Sequence, residues 1–412
     1  MPAATAAFTP RAVVDFAPVG WVVRLAKALR PWHVGVLGCL MALGIVFGRL
    51  LVPADGDISR FVVAGDNFVD PATVDPPIYV YEDSWGYDGT YYWRLAVDPF
   101  QWDLDHHHHG VIFDSAYRPS RLLYPLLAWG LSGGHAPWAA TTLVVVNVLA
   151  FGAVALFGGM IAERAGRPAL SGLLLASVPG LIFAVARDLP DVVTLAVLLA
   201  GVVALQRQRW AWATVAWTLA VLSREQVLAA IAGYGIWRLV ALVRRRVSLS
   251  AADLPWLVPP VAAVLWQLVG WMRMGELPIA AANDSNTTFP FGVLGPTLVD
   301  WARGDIPPWD DMVRFQFPLA VVLVALAVGR GIRRELGEGD RWLLVSLGLV
   351  VLMAVSLGKR VWSGPSDLRQ VLDVFALAWV VLLSSPRRIP APLVAATILV
   401  WFGTAAVRCY AI

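Results

Sequence analysis

Cysteine is almost missing from these 412 residues: there are two, Cys39 in the first long apolar run and Cys409 near the far end. No CxxC and no Cys/His ligand spacing occurs, which disfavours structural zinc and thiol redox chemistry, and two distant thiols make no disulfide framework. Charge is scarce as well, at 15% of residues. The sequence also has no G-x-G-x-x-G turn and no P-loop, the usual cradles for a nucleotide phosphate. Tandem repeats, low-complexity tracts and a charged soluble domain are absent too.

What is abundant is apolar. Hydrophobic residues make up 58% of the chain and mean hydropathy is +0.66, beyond the range of a soluble globular domain. The expected fold is therefore an all-α polytopic membrane protein. A hydrocarbon core of about 30 Å demands helices of about 20 apolar residues. Such runs fall near 33–52, 137–160, 169–186, 190–206, 210–223, 227–243, 254–272, 315–330, 341–357, 368–384 and 391–407, about eleven spans. Residues 1–32 carry Arg24, Lys27 and Arg30 among Val, Leu and Ala, which reads as an amphipathic helix on the cytoplasmic surface. The run at 33–52 is expected to stay as an anchor, because it begins too far along for a cleaved leader. Leu122 to Leu131 is too short to cross and reads as a helix dipping into the outer leaflet. The 20 Trp suit interfacial belts, although Trp212 and Trp217 fall inside expected helices.

A net charge of +3 and a pI near 9.0 would point to nucleic acid only if the cations shared one soluble surface. Threaded with the N-terminus inside, roughly 17 of the 32 Lys/Arg but only about 6 of the 29 Asp/Glu fall on the cytoplasmic side. The short loops with Arg244, Arg245 and Arg246, and with Arg333 and Arg334, lie inside under this threading. Charge is separated across a membrane, so no nucleic-acid partner is expected. The expected setting is the plasma membrane, with multiple passes and two large loops outside, 53–136 and 273–314.

The first outer loop holds most of the polar chemistry. Loops longer than about 15 residues are usually functional or disordered, and the aromatics here argue for order. Ile58 to Val63 and Ile78 to Tyr81 read as short extended pieces. In GYDGTYYWRLAVDPF, Gly86 to Phe100, the spacing of Tyr91, Leu95 and Asp98 predicts an amphipathic helix lying on the membrane. The loop closes on YRPSRLLYP, Tyr117 to Pro125.

This order of a first span, an Asp ahead of an aromatic helix, then an Arg and a Tyr-Pro entering an apolar segment, resembles the GT-C superfamily of polyprenyl-phosphate-sugar-dependent glycosyltransferases. The matching residues are Asp88, Gly89, Tyr91 and Tyr92, then Arg118, Arg121, Tyr124 and Pro125. DGTYYWRLA followed by LLYPLLAW is similar to the pattern of PIG-V-like mannosyltransferases, and the layout resembles actinobacterial mannosyl- and arabinosyltransferases. The resemblance implies a membrane-embedded transferase of hexosyl or pentosyl groups serving the cell envelope. Its donor would be a polyprenyl-phosphate sugar and its acceptor a glycan, glycolipid or protein, with membrane lipids around it.

The residues themselves are consistent with that chemistry. Outside the cytoplasm there are no nucleotide sugars, so a lipid-linked donor entering from the bilayer is the coherent choice. Its phosphate leaves without needing a proton. One carboxylate must then take the proton of the acceptor hydroxyl, and cations must hold the phosphate as charge develops. A single base on the face opposite the leaving group implies inversion at the sugar.

Asp88 is the first candidate for the base, presented by the turn that Gly86 and Gly89 allow; the alternative is an ordinary Asp-containing turn. Asp57, directly after the first span, is the rival, since many GT-C enzymes resemble one another in placing the base there. Its plainer reading is an Asp that terminates a helix. Arg118, Arg121, Arg224, Lys359, Arg360 and Arg369 fall at outer helix ends and could clamp a phosphate, against the alternative of interface snorkelling. Arg369 stands out because Asp373 follows four residues later, an ionisable pair entering a span. Tyr91, Tyr92, Tyr124 and Asp188 are the candidate substrate contacts. Arg187, Asp188 and Asp191 in ARDLPD read either as an acceptor-side set or as a capped turn. His106 to His109 beside Asp103 and Asp105 are not read as a metal site, because adjacent residues cannot all face one ion, and no cofactor is expected. Sequons stand at Asn283 and Asn286.

Two other classes compete. A transporter or lipid flippase would place ionisable groups at the bilayer midplane in related halves, whereas polarity here concentrates in one outer loop. A non-catalytic assembly subunit that binds a sugar lipid would present the same sequence features.

Overall fold

A computed structural model describes residues 28–281, 287–305, 313–362 and 368–410. The expected N-terminal helix up to residue 27, and Asn283 and Asn286, lie outside the described residues. The described chain is mostly helical. Its α-helices are α1 (Pro31–Leu51), α2 (Gly89–Val97), α3 (Leu123–Ser132), α4 (Ala139–Arg164), α5 (Leu173–Ala176), α6 (Pro179–Val185), α7 (Asp191–Gln206) and α8 (Trp210–Ser223). They continue with α9 (Leu228–Val243), α10 (Leu254–Met274), α11 (Leu294–Arg303), α12 (Val313–Ile332), α13 (Trp342–Val355), α14 (Lys359–Trp362), α15 (Leu372–Ser384) and α16 (Ala391–Tyr410).

Among the described residues, six helical stretches are long and apolar enough to cross a membrane: Pro31–Leu51, Ala136–Arg164, Glu225–Val243, Ala251–Met274, Val313–Ile332 and Ala391–Arg408. The remaining apolar runs form shorter helices. The expected span over 169–186 is broken in two, because Val178 is extended ahead of Pro179; proline's ring disfavours the α conformation in the residue before it. The runs at 341–357 and 368–384 give helices of 14 and 13 residues, about 20 Å long and short of a hydrocarbon core.

Two of the short helices are enclosed by the bundle, while some of the long ones face out. Every residue of α6 is buried, as is every residue of α15 except Asp373, and α15 packs on α4, α12 and α13. By contrast α10 exposes Val261, Val264, Leu265, Trp271 and Met272, a surface suited to lipid. Helices α1 and α4 approach through small residues. A Cβ on Gly38 would stand 2.6 Å from the Ala155 Cβ, and one on Gly152 would meet the Cys39 sulfur at 2.2 Å. Such close backbone approach is how helices pack where no water drives them together.

The loop between α1 and α3 folds onto this bundle. The stretch expected to be extended at Ile58 starts instead as a 3-10 turn, Ile58–Phe61, because Asp57 caps it: its Oδ1 accepts from the Ser59 N–H at 2.9 Å and from the Ser59 hydroxyl at 2.8 Å. The second expected piece pairs, with β1 (Ala64–Gly65) parallel to β2 (Val80–Tyr81). Helix α2 forms where its spacing predicts, yet all nine of its residues are buried, so it does not lie on a membrane surface. Its one charged residue finds partners within the loop itself: Arg94 donates to the carbonyls of Val111 at 3.0 Å and Asp103 at 2.8 Å, and stacks over Phe113.

Candidate active site

The N-terminus of α2 is wedged into the bundle. A Cβ on Gly89 would stand 2.5 Å from the Val62 carbonyl oxygen and 2.6 Å from that of Arg187, so only glycine permits this approach. The wedge delivers Asp88, at the N-cap position, to a set of arginines. Its side chain makes no capping hydrogen bond and is committed elsewhere: Oδ1 accepts from Arg118 Nη1 at 2.6 Å, and Oδ2 lies 3.8 Å from Arg369 Nη2. Arg369 reaches on to Asp191 Oδ2 at 3.5 Å, while Arg224 pairs with the other oxygen of Asp191. Arg224 is held further by Gln226 at 2.7 Å and Gln370 at 3.0 Å. One continuous chain of ion pairs thus joins α2, the loop at Arg118, the first residue of α7, the end of α8 and the turn before α15.

Arg121 extends the cluster. It bonds to Glu225 Oε1 at 3.0 Å and to the Tyr117 hydroxyl, which itself donates to Glu225 at 2.7 Å. Arg118 is steadied by Asp114 at 3.2 Å and by the Tyr91 ring, 5.3 Å from its guanidinium carbon. The Tyr87 ring lies between two guanidiniums, 5.5 Å from Arg187 and 5.6 Å from Arg369. Asp191, Thr194, Arg224, Arg369, Leu372 and Asp373 line a small cleft here.

Electrostatics set the protonation of Asp88. Burial favours the neutral acid, but Arg118 first, then Arg369, Arg121 and Arg224, outweigh it and hold the carboxyl below the usual carboxylate range. Burial likewise works against the Arg118 charge, and Asp88 and Asp114 overcome it, raising its pKa. Asp88 is therefore ionised at neutral pH, within a ring of cations. The Nε atoms of Arg121, Arg224 and Arg369 are buried with no hydrogen-bond partner among the described residues. Buried donors without acceptors are uncommon, and three of them in one cluster, two on residues that line the cleft, Arg224 and Arg369, are suited to an anion with several oxygens.

The structure gathers Asp88, Arg118, Arg121, Arg224 and Arg369, all candidates from the sequence. Asp57 is elsewhere engaged, its Oδ1 accepting from both groups of Ser59. Arg369 faces Asp88 and Asp191, and no ion pair with Asp373 occurs among the described residues. Lys359 is exposed on α14, which also carries Arg360. Tyr92 and Tyr124 are fully enclosed and meet edge to face at 5.9 Å. The Tyr124 hydroxyl donates to the Leu143 carbonyl at 3.0 Å, accepts from Asn147 at 2.8 Å and stands 3.5 Å from Asp188. Burial pushes the Asp188 carboxyl well up, despite Arg49 nearby and the Tyr124 contact. These three residues form the packing that holds α2 and α3 to α4.

Asp191, which the sequence offered as part of an acceptor-side set or a capped turn, belongs to the site together with Glu225, Tyr117 and Gln370, which were not singled out from the sequence. The last three are chain neighbours of candidate arginines, next to Arg224, Arg118 and Arg369. No protein-family model matches the chain, and no curated protein matches it.

Proposed function

We propose that the protein is a GT-C-like, inverting glycosyltransferase of the plasma membrane that moves a sugar from a polyprenyl-phosphate carrier to an extracytoplasmic acceptor of the cell envelope. On this reading about eleven segments thread the bilayer, and the loop carrying α2 faces outward. The observation that carries the proposal is the convergence of one ionised carboxylate, Asp88, with Arg118, Arg121, Arg224 and Arg369 at one end of the bundle. Asp88 takes the proton of the acceptor hydroxyl, while the arginines receive the phosphate that departs from the sugar, competing with the carboxylates they now bind. A phosphate brings the oxygens that the buried Nε donors lack. The orientation is supported by the opposite end of the bundle, where Arg164, Arg167 and Arg330 meet Asp340, the Ser385 carbonyl and the carbonyls of Arg387 and Arg388; cations gather on the cytoplasmic side of membrane proteins.

The test is turnover of a radiolabelled lipid-linked sugar by purified protein given candidate acceptors. Asp88→Asn is expected to keep donor binding while transfer drops by about 10² to 10⁴. Asp57→Asn is the matched control and is expected to transfer near the native rate. A dead Asp57→Asn with an active Asp88→Asn would move the base to the end of the first span. Native transfer by both variants would refute the mechanism.

A further inference from the structure

A second cavity, of about 360 Å³, opens between the segment after α2 and the C-terminal end of α10, and belongs to none of the ion pairs described above. Its walls include Phe100, Gln101, Asp103, Asp105, Arg273 and Glu276. That volume is within the range of small-molecule sites. We propose that this cavity binds a neutral carbohydrate chain, as a subsite for the part of the acceptor glycan remote from the reacting hydroxyl. Its role as an acceptor subsite rests on the glycosyl-transfer reading; its ability to bind sugar does not.

The chemistry of the walls selects the ligand. Three carboxylates and an amide, with one guanidinium, present mostly hydrogen-bond acceptors, which suits a ligand rich in O–H donors. An anionic headgroup would face Asp103, Asp105 and Glu276. A cation is less well served, because Asp103 is already engaged by the Asp105 N–H at 2.8 Å and by His106 at 2.9 Å, and Arg273 shares the wall. Phe100 is 61% exposed, with its ring held edge to face 6.0 Å from Trp129, and offers a flat apolar surface for the C–H face of a sugar ring.

Position ties the cavity to the active site. Arg94 of α2 grips the Asp103 carbonyl, so the helix that bears Asp88 at its start also pins the cavity wall, about 9 Å further along its axis. On the same wall Trp102 packs against Trp266 of α10 at 5.2 Å, and Trp266 donates to the Ser120 carbonyl at 2.7 Å, next to Arg121. A ligand reaching from Asp88 into the cavity must be longer than one sugar ring.

Saturation-transfer NMR on the purified full-length protein tests this, using neutral trisaccharides of mannose, glucose, galactose and arabinose, each against its monosaccharide, with spermine as the cationic competitor. At least one trisaccharide is expected to bind more tightly than its monosaccharide. Phe100→Ala is expected to weaken it by about two- to tenfold, with a loss also in Glu276→Gln. Both side chains are exposed, so neither change threatens folding. Trisaccharide binding no tighter than that of monosaccharides, or unchanged in both variants, would overturn the proposal; so would spermine as the sole ligand lost in Glu276→Gln. Asp88→Asn should bind the trisaccharide as the native protein does. If Asp88→Asn also transferred at the native rate, the catalytic reading would fall and the sugar site would stand.

Discussion

Removing the Arg118 guanidinium should change the acid side of the pH profile, by an amount the geometry bounds. Asp88 is 14% exposed and 2.6 Å from Arg118; burial raises its pKa, and four arginines led by Arg118 bring it below the usual value. One adjacent cation lowers an Asp pKa by about 1 to 3 units, equivalent to about 1.4 to 4 kcal/mol. In Arg118→Ala the burial remains and only Arg369, at 3.8 Å, stays in ion-pair range. The Asp88 pKa should therefore rise by about 1 to 3 units. On the proposed mechanism kcat/KM, which reports the free enzyme, has its acid limb set by Asp88, so that limb should move upward by that amount. Arg118→Lys should leave it near its native place. The stability has the matching sign: a depressed folded pKa gives Asp88 a contribution present above its unfolded value of about 3.9 and lost as pH falls through the folded pKa. Arg118→Ala should lose that acid-side dependence in thermal unfolding, a readout that survives if turnover becomes too slow. An acid limb and an unfolding profile both unmoved in a folded Arg118→Ala protein would refute the coupling of these residues.

Asp191→Asn strips one buried carboxylate from both Arg224 and Arg369; breaking a buried pair costs about 3 to 5 kcal/mol, so the unfolding temperature in detergent should fall and donor KM rise, and a native value of both would count against the network. Gly89→Ala should displace Asp88, since its Cβ meets two carbonyl oxygens below 3 Å. Overpacking of this kind costs about 1 to 3 kcal/mol, and native transfer by a stable variant would show that the wedge does not position the proposed base. His107→Cys should react on intact cells with a membrane-impermeant maleimide; labelling only after permeabilisation would reverse the orientation.

Much of the helical layout was legible in hydropathy alone. Long apolar runs such as 33–52, 137–160 and 254–272 match α1, α4 and α10 closely, because about 20 apolar residues in sequence have one stable environment. The arginines of the site were legible too, as cations at helix ends in a chain poor in charge. What the apolar runs could not convey is which of them would lie wholly inside: α13 is at least as hydrophobic as α15, yet α15 is enclosed and α13 is buried along only part of its surface, leaving Leu352 exposed. Burial of α2 was hidden for a related reason. Its Arg94 looks solvent-directed in sequence and is instead satisfied by backbone carbonyls nine and seventeen residues away.

By itself the sequence determined a helical membrane protein whose polarity is concentrated in one long loop, since composition and run length act locally and need no knowledge of neighbours. Only the tertiary structure decided which acid meets which base. Arg369 and Asp373 stand at α-helical spacing, but Arg369–Val371 forms a 3-10 turn, whose three-residue repeat takes them off a common face, and the guanidinium turns to Asp88 and Asp191. Asp57 and Asp88 are alike as sequence, each an acid beside a glycine. A capping bond within two residues engages one, while a glycine too close to two carbonyls for any other side chain delivers the other to arginines thirty and more residues away.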